Sequence, residues 1–259
     1  MDTLPTLDIL GVRVHAVTWE EALAQIERFV AGGGAHQVVT VNPEFVMAAR
    51  RNLEFREVLN SADLALPDGV GLLWASRLLS WRRSELPRLQ ERVTGSDSVP
   101  RLSALAARHG WRVYFLGAAP GVAEQTAAIL AQRYPGLVVA GSYAGSPAPA
   151  EEDHIVQRIR ATQPHLLFVA YGAPAQDLWI ARNLARLQVP VCMGVGGAFD
   201  FVTGVTRRAP LWVQRLGLEW LHRLIHQPWR WRRQIAVWQF ALLVWREILR
   251  CPAQRAADC

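Results

Sequence analysis

Four places in the sequence gather residues able to do chemistry, each where a β-branched run gives way to a turn marked by glycine or proline. Thr40-Val41-Asn42-Pro43-Glu44 brings a hydroxyl and an amide off the end of one run. Asn42 followed by Pro43 is also a good helix start, so a cap and a substrate contact compete for the same side chain. Leu66-Pro67-Asp68-Gly69-Val70-Gly71 sets a carboxylate beside two glycines, which lets a ligand or another backbone come close; an ordinary Asp-Gly turn is the competing reading. Phe115-Leu116-Gly117-Ala118-Ala119-Pro120-Gly121 leads through small residues into a helix whose first amides could hold a phosphate. The fourth place pairs Tyr171-Gly172-Ala173-Pro174-Ala175-Gln176 with Gly194-Val195-Gly196-Gly197-Ala198-Phe199-Asp200, a glycine density that fits a nucleotide pocket or tight packing.

Several chemistries are missing. Gly117–Gly121 is not G-x-G-x-x-G and no acid stands about 20 residues on, which argues against a dinucleotide. The sequence contains no Asp-x-Asp pair to hold a divalent ion on a nucleotide diphosphate, no G-x-S-x-G and no H-E-x-x-H. His222 and His226 are four apart but have no third ligand nearby in sequence, so no metal site is expected. All 28 basic residues are arginine, which excludes a P-loop lysine, a Schiff-base lysine and a lysine base. A pyrophosphate would then be neutralised by arginines and helix N-termini, and Arg92, Arg207 and Arg208 flank the glycine-rich turns.

These candidates need a scaffold that delivers strand ends to one edge. Short apolar runs at 8–14, 37–41, 63–66, 112–117, 137–141, 165–171 and 190–195 alternate with helical periodicity, which predicts an α/β, Rossmann-like, mostly parallel sheet. Ligands of such sheets bind beyond the carboxyl ends of the strands. Thr18-x-x-Glu21 reads as a capping box, Pro120 as the first residue of a helix over 120–133, and Ser80–Glu91 as a mobile loop. Beyond Thr203 the pattern becomes helical, over Leu211–Ile225 and Ile235–Leu249.

Composition divides the chain at the same point. Residues 1–204 carry 18 arginines against 19 acids, whereas residues 205–259 carry 10 against 3 together with six of the eleven tryptophans. We expect a Rossmann-like catalytic body over 1–204 and a basic, Trp-rich helical appendage over 205–259 that lies on an anionic membrane surface, packs on the body or forms a homo-oligomer interface. The apolar stretch Ile235–Trp245 falls short of the ~20 residues needed to span a bilayer. The three cysteines, Cys192, Cys251 and Cys259, indicate neither a disulfide framework nor a zinc cluster, and the first residues do not read as a signal peptide, so a cytoplasmic setting is expected.

With these residues in hand the chain resembles the WecG/TagA/CpsF glycosyltransferases (glycosyltransferase family 26). The resemblance runs in order through Thr40–Glu44, Pro67–Gly71, Arg92-Val93-Thr94-Gly95-Ser96-Asp97, Gly117–Gly121, Gly172–Asp177, Gly194–Asp200, Arg208-Ala209-Pro210, Gly217-Leu218-Glu219-Trp220, and Pro228 with Arg230. Gly145-Ser146 and Gln227-Pro228 depart from the family's usual pattern.

The resemblance implies an inverting, metal-independent transfer that needs no cofactor. It would move a hexose or N-acetylhexosamine from a UDP-sugar to an undecaprenyl-diphosphate-linked sugar at the cytoplasmic face of the inner membrane. Asp68 would be the general base, Thr40 and Asn42 would line the sugar pocket, and Arg92, Gly117, Gln176, Gly196, Asp200, Arg207 and Arg208 would serve the nucleotide-sugar site. Arg215, Arg223, Arg230, Arg232 and Arg233 would engage lipid and diphosphate. A single displacement needs no covalent nucleophile, in keeping with the missing motifs. The competing classes are a non-catalytic nucleotide- or nucleic-acid-binding adaptor, which would use the Arg/Trp tail on phosphates and bases, and a dehydrogenase on the same fold; neither nucleic acid nor NAD is the expected partner.

Overall fold

The computed structural model describes residues 4–206, 209, 210, 213, 221, 224 and 231–250, with side chains from 235 onward in the last stretch. Its centre is a six-stranded parallel sheet in the order β4-β3-β8-β7-β5-β6, formed by β3 (His36–Val41), β4 (Leu64–Pro67), β5 (Arg112–Gly117), β6 (Val138–Tyr143), β7 (Leu166–Ala170) and β8 (Val191–Gly194). All six carboxyl ends therefore meet at one edge. The chain leaves β5 towards β6 on one side and leaves β7 towards β8 on the other, so adjacent β5 and β7 form the switch point where such sheets open a crevice.

The run expected as one strand over 8–14 is instead an antiparallel hairpin, β1 (Thr6–Ile9) and β2 (Val12–His15), outside the main sheet. Leu10 and Gly11 both have positive φ, 55° and 88°, the geometry of a tight hairpin turn, and the Asp8 carboxylate accepts the Gly11 N–H at 2.8 Å. Leu-Gly is a weak turn signal in sequence; the Asp8 bond supplies what an Asn-Gly pair usually would.

Strand alternation explains the layers. Val113, Phe115, Leu166, Phe168, Val191 and Met193 face a core shared with α1 (Trp19–Gly32), α5 (Gly95–His109), α6 (Val122–Arg133) and α9 (Ala198–Thr203). Their neighbours Tyr114, Leu116, Leu167, Val169 and Cys192 face α7 (Glu152–Thr162) and α8 (Ala175–Leu187) on the opposite side. Val39, Val41 and Ala65 continue that side beneath α2 (Pro43–Ala49), α3 (Leu53–Ser61), α4 (Val70–Arg82) and a long C-terminal helix, α10 (Trp231–Arg250). Phe240, Val244 and Ile248, spaced by one helical turn, place α10 in this core.

Helix starts follow the local chemistry closely. Thr18 and Glu21 form the expected reciprocal capping box, and Asn42 caps α2 with Pro43 at its first position. The helix expected from Pro120 begins at Val122 instead, because Gly121 takes a left-handed φ of 85° and serves as the cap. The expected mobile segment Ser80–Glu91 begins as the last turn of α4 and is anchored beyond it. Ser76 Oγ accepts the Leu89 N–H at 3.2 Å, Arg88 donates to Ser80 Oγ at 3.2 Å, and Glu91 accepts the Trp19 N–H. No helix among the described residues is long and apolar enough to cross a membrane.

Candidate active site

The ends of β3 and β4 bring Thr40, Asn42 and Asp68 together. The two strands pair in register, Thr40 opposite Leu66 and Val41 opposite Pro67. The Asp68 N–H continues the pairing by donating to Val41 O at 2.7 Å. Asp68 is therefore the last residue of a strand extension rather than part of a free-standing Asp-Gly turn. The turn itself is made by Gly69 (φ 106°), which occupies the cap position of α4 and makes no side-chain cap bond. Asp68 Oδ2 accepts the N–H of Gly95, the first residue of α5, at 3.2 Å, an orientation favoured by the positive end of that helix.

Gly95 gives this meeting its room, and Gly69 is fixed by its positive φ rather than by crowding. A Cβ on Gly95 would lie 3.3 Å from Thr40 Oγ1, and one on Gly69 would lie 3.4 Å from Pro43 Cδ and 3.7 Å from Asn42 Cβ. Asn42 proves to be both cap and candidate: its Oδ1 accepts the Phe45 N–H at 2.9 Å, which leaves the amide NH₂ as the half able to meet another group. Gly95 could have been suspected from Thr94-Gly95-Ser96-Asp97, which reads as a capped helix start. That its N–H would point at Asp68, 27 residues away, has no local signal. Arg92 is half-buried just before Val93, whose N–H donates to Pro67 O at 2.8 Å, so it also stands beside the β4 end.

A second cluster forms at the ends of β7 and β8. Gln176, in the first turn of α8, is buried, and its Oε1 accepts the Gly196 N–H at 2.9 Å. The side chain thus ties two glycine turns together rather than presenting that oxygen to a ligand. A Cβ on Gly194 would fall 2.6 Å from both Gln176 Nε2 and Asp177 Oδ1, so this glycine is required by packing. Asp177 is fully buried, and neither carboxylate oxygen has a well-formed hydrogen bond. Burial pushes its pKa up to about 7, opposed in part by the Gln176 side chain and its own backbone N–H. Asp200, on α9, is half-buried with its pKa also raised by burial, and its Oδ2 lies 3.6 Å from where a Gly197 Cβ would stand.

Gly117 sits across the switch point. A Cβ there would strike the Ala170 backbone at 2.8 Å, and the Ala118 N–H donates to Ala170 O at 3.0 Å, so strand packing alone explains the glycine. Glu124 in the first turn of α6 works against an anion on that helix end. From Asp68 to Gly117 the edge crosses four inter-strand steps, roughly 19 Å at the usual strand spacing. Between the two lie Thr40, Asn42 and the glycine turn of β8.

Arg207, Arg208, Arg215, Arg223 and Arg230, together with His222 and His226, lie outside the described residues; Arg232 and Arg233 fall in the first turn of α10, where only the backbone is described. Among the described residues no group of three or more His, Cys, Asp or Glu side chains could hold a metal ion. Cys192 is buried, and burial pushes its thiol pKa up, as befits an inert core residue.

The chain matches the glycosyl transferase WecG/TagA/CpsF family over residues 7–254. It belongs to that family. The matched span of this glycosyltransferase includes both clusters and nearly all of the described chain. It is 34% identical over 210 residues, 81% of this chain and 79% of the relative, to the N-acetylglucosaminyldiphosphoundecaprenol N-acetyl-β-D-mannosaminyltransferase of Bacillus subtilis strain 168. It is 35% identical over 207 residues, 80% of this chain and 77% of the relative, to the enzyme of the same name from Bacillus spizizenii strain W23.

Proposed function

We propose that this glycosyltransferase moves a hexose or N-acetylhexosamine from a UDP-sugar to a sugar carried on undecaprenyl diphosphate, with inversion at the anomeric carbon. The observation that carries the reading is the Asp68 carboxylate, oriented by the Gly95 N–H at the end of β4 beside Thr40 and Asn42. N-acetylmannosamine is the first donor sugar to try, and an N-acetylglucosamine the first acceptor sugar, because the two Bacillus relatives are named for that pair.

In this reading an acceptor hydroxyl attacks the anomeric carbon from the face opposite UDP. The new C–O bond forms as the bond to the diphosphate oxygen breaks, Asp68 takes the hydroxyl proton, and UDP leaves. Thr40 and the Asn42 amide NH₂ orient the sugars. Gln176 shapes the glycine turn whose backbone, with Asp200, borders the donor, and Gly117 contributes its backbone at the switch point. Arg92, Arg207 and Arg208 neutralise the departing diphosphate, as guanidinium groups do well. The tail arginines Arg215, Arg223, Arg230, Arg232 and Arg233 meet the acceptor's diphosphate and the anionic cytoplasmic face of the membrane, where each contributes about 1 kcal/mol.

The deciding experiment incubates the full chain with a panel of UDP-sugars and a short-chain lipid-diphosphate sugar, and reads products by mass spectrometry. One added hexose or N-acetylhexosamine with release of UDP is expected. UDP-sugar hydrolysis without transfer, or no reaction with any donor, would overturn the reading.

A further inference from the structure

The first turn of α8 presses two polar side chains against the end of β8. Cys192 and Gly194 share the α8 side of the sheet, so a Cβ on Gly194 would point into that turn. The space is already filled by Gln176 Nε2 and Asp177 Oδ1, each 2.6 Å from where that Cβ would stand. Both residues are buried, at 1% and 0% exposure. Successive residues of a helix do not ordinarily face each other. Here the bare glycine lets an amide nitrogen and a carboxylate oxygen converge.

The chemistry of the pair is directional. Gln176 Oε1 accepts the Gly196 N–H at 2.9 Å, which turns the amide NH₂ away from that backbone group. An ionised carboxylate can only accept, so it favours the amide with its nitrogen towards Asp177, and the protonated form still offers one oxygen in that role. A flipped amide would set N–H against N–H at Gly196. Burial raises the Asp177 pKa and the Gln176 side chain draws it back, the sign expected of a donor near the carboxylate. The two carboxylate oxygens have no well-formed hydrogen bond, and a buried acceptor left in that condition is costly. From the other side, Gln37 Nε2 donates to the Asp177 carbonyl at 2.9 Å, which ties this turn of α8 to the strand that leads to Thr40 and Asn42.

We infer that Asp177 is a positioning residue: it holds the Gln176 amide in the orientation that fixes Gly196, and so shapes the Gly194-Val195-Gly196-Gly197 turn for the nucleotide-sugar donor. The inference rests on the proposed donor site and adds the residue that keeps its glycine turn in shape. It also accounts for a carboxylate kept in the core at a cost in stability.

The test compares the full chain with Asp177→Leu, Asp177→Asn, Gln176→Glu and the exchange Gln176→Glu/Asp177→Asn. UDP affinity is read by calorimetry, order in the turn by hydrogen exchange of the segment 194–200, and stability by urea unfolding. Asp177→Leu removes the acceptor and should lose on the order of tenfold in UDP affinity, the worth of about one hydrogen bond, with faster exchange in the turn. Its stability should equal or exceed that of the parent, because a buried carboxylate without good partners is gone. Asp177→Asn keeps an acceptor oxygen and should regain most of the lost affinity. Gln176→Glu sets two carboxyl groups against each other and should lose tenfold or more, whereas the exchange variant restores a donor to an acceptor and should recover most of that loss. Parent-like UDP affinity in Asp177→Leu would overturn the inference, as would a loss of affinity that merely tracks a loss of stability. If Asp177→Leu does not fold, the exchange variant decides: affinity no better than that of Gln176→Glu alone would overturn the inference. A parent that binds no UDP would also overturn it. A parent that binds UDP but transfers no sugar would instead sink the proposed function, and the same variants would still decide the role of Asp177.

Discussion

Asp68, at the end of β4, and Asp177, in the first turn of α8, face opposite demands. Asp68 is half-buried, anchored by the Gly95 N–H and placed where β4 ends, the position from which the proposed reaction has it act as base. Asp68→Asn keeps the shape and can still accept the Gly95 N–H, but it cannot take a proton. Its turnover should fall by roughly 10²–10⁴, the usual worth of a general base, with little change in UDP affinity measured by calorimetry. Parent-like turnover would remove Asp68 from the reaction.

Asp177 is buried without a well-formed partner, and its pKa near 7 makes it a stability determinant with a definite sign. The native state holds this proton between about pH 4 and 7 while the unfolded chain, with the ordinary value of 3.8, has released it, so stability falls as pH rises through that window. His15 runs the other way. Burial, helped by Arg13, lowers its pKa to about 4, and its Nδ1 accepts the Ala65 N–H at 2.9 Å. The unfolded chain alone is then protonated there between about pH 4 and 6.5, and stability rises with pH. The two slopes nearly cancel. Asp177→Asn removes one of them, so the stability of the variant relative to the parent should climb by up to about 1.4 kcal/mol per pH unit from pH 4 towards 7 and level off above. Urea titrations at a series of pH values read this difference; a pH-independent difference would mean that Asp177 is ionised throughout.

At the scale of elements, α10 is held by more than its charge. The change of composition near residue 204 does not end the core, since Phe240, Val244 and Ile248 complete the layer begun by Leu72, Ala75 and Leu79 of α4. Phe240→Ala should cost about 3–5 kcal/mol, the range for emptying an aromatic core site, measured by urea unfolding at constant pH. A loss below about 1 kcal/mol would mean that α10 docks only loosely, since that is the scale of a surface change. Because α2 and α4 both begin at the Asn42 and Asp68 turns, disturbing their cover should also weaken substrate handling. Gly71 is the tightest point of this layer, where a Cβ would press on Pro43 at 2.7 Å.

At the scale of the whole molecule, the proposed reaction assigns to arginine charge the role that a metal plays in other nucleotide-sugar enzymes. The chain has a net charge of +6, all from arginine, and lacks an Asp-x-Asp pair. Transfer should therefore survive excess EDTA and gain little from Mg²⁺ or Mn²⁺. Loss of activity on chelation, restored by one particular ion, would reveal a metal site and overturn the metal-independent reading.

Much of this molecule was legible in the sequence because the relevant forces are local. Asn42 before Pro43, and Thr18 three residues ahead of Glu21, specify helix starts through backbone groups that need partners within one turn. Alternating apolar runs specify parallel strands, and parallel strands specify the edge on which Thr40, Asp68, Gly172 and Gly196 assemble. The hairpin at Leu10-Gly11 escaped because its turn depends on the Asp8 side chain rather than on a strong turn pair. Strand order, by contrast, is settled by contacts between residues far apart in the chain. Only the folded structure could bring Gly95 to Asp68, tie Gln176 to Gly196, bury Asp177 under a glycine that has no room for a side chain, and lay α10 across α4. Sequence spacing encodes which groups are available at a strand end or a helix face; which of them meet is decided by how the layers pack.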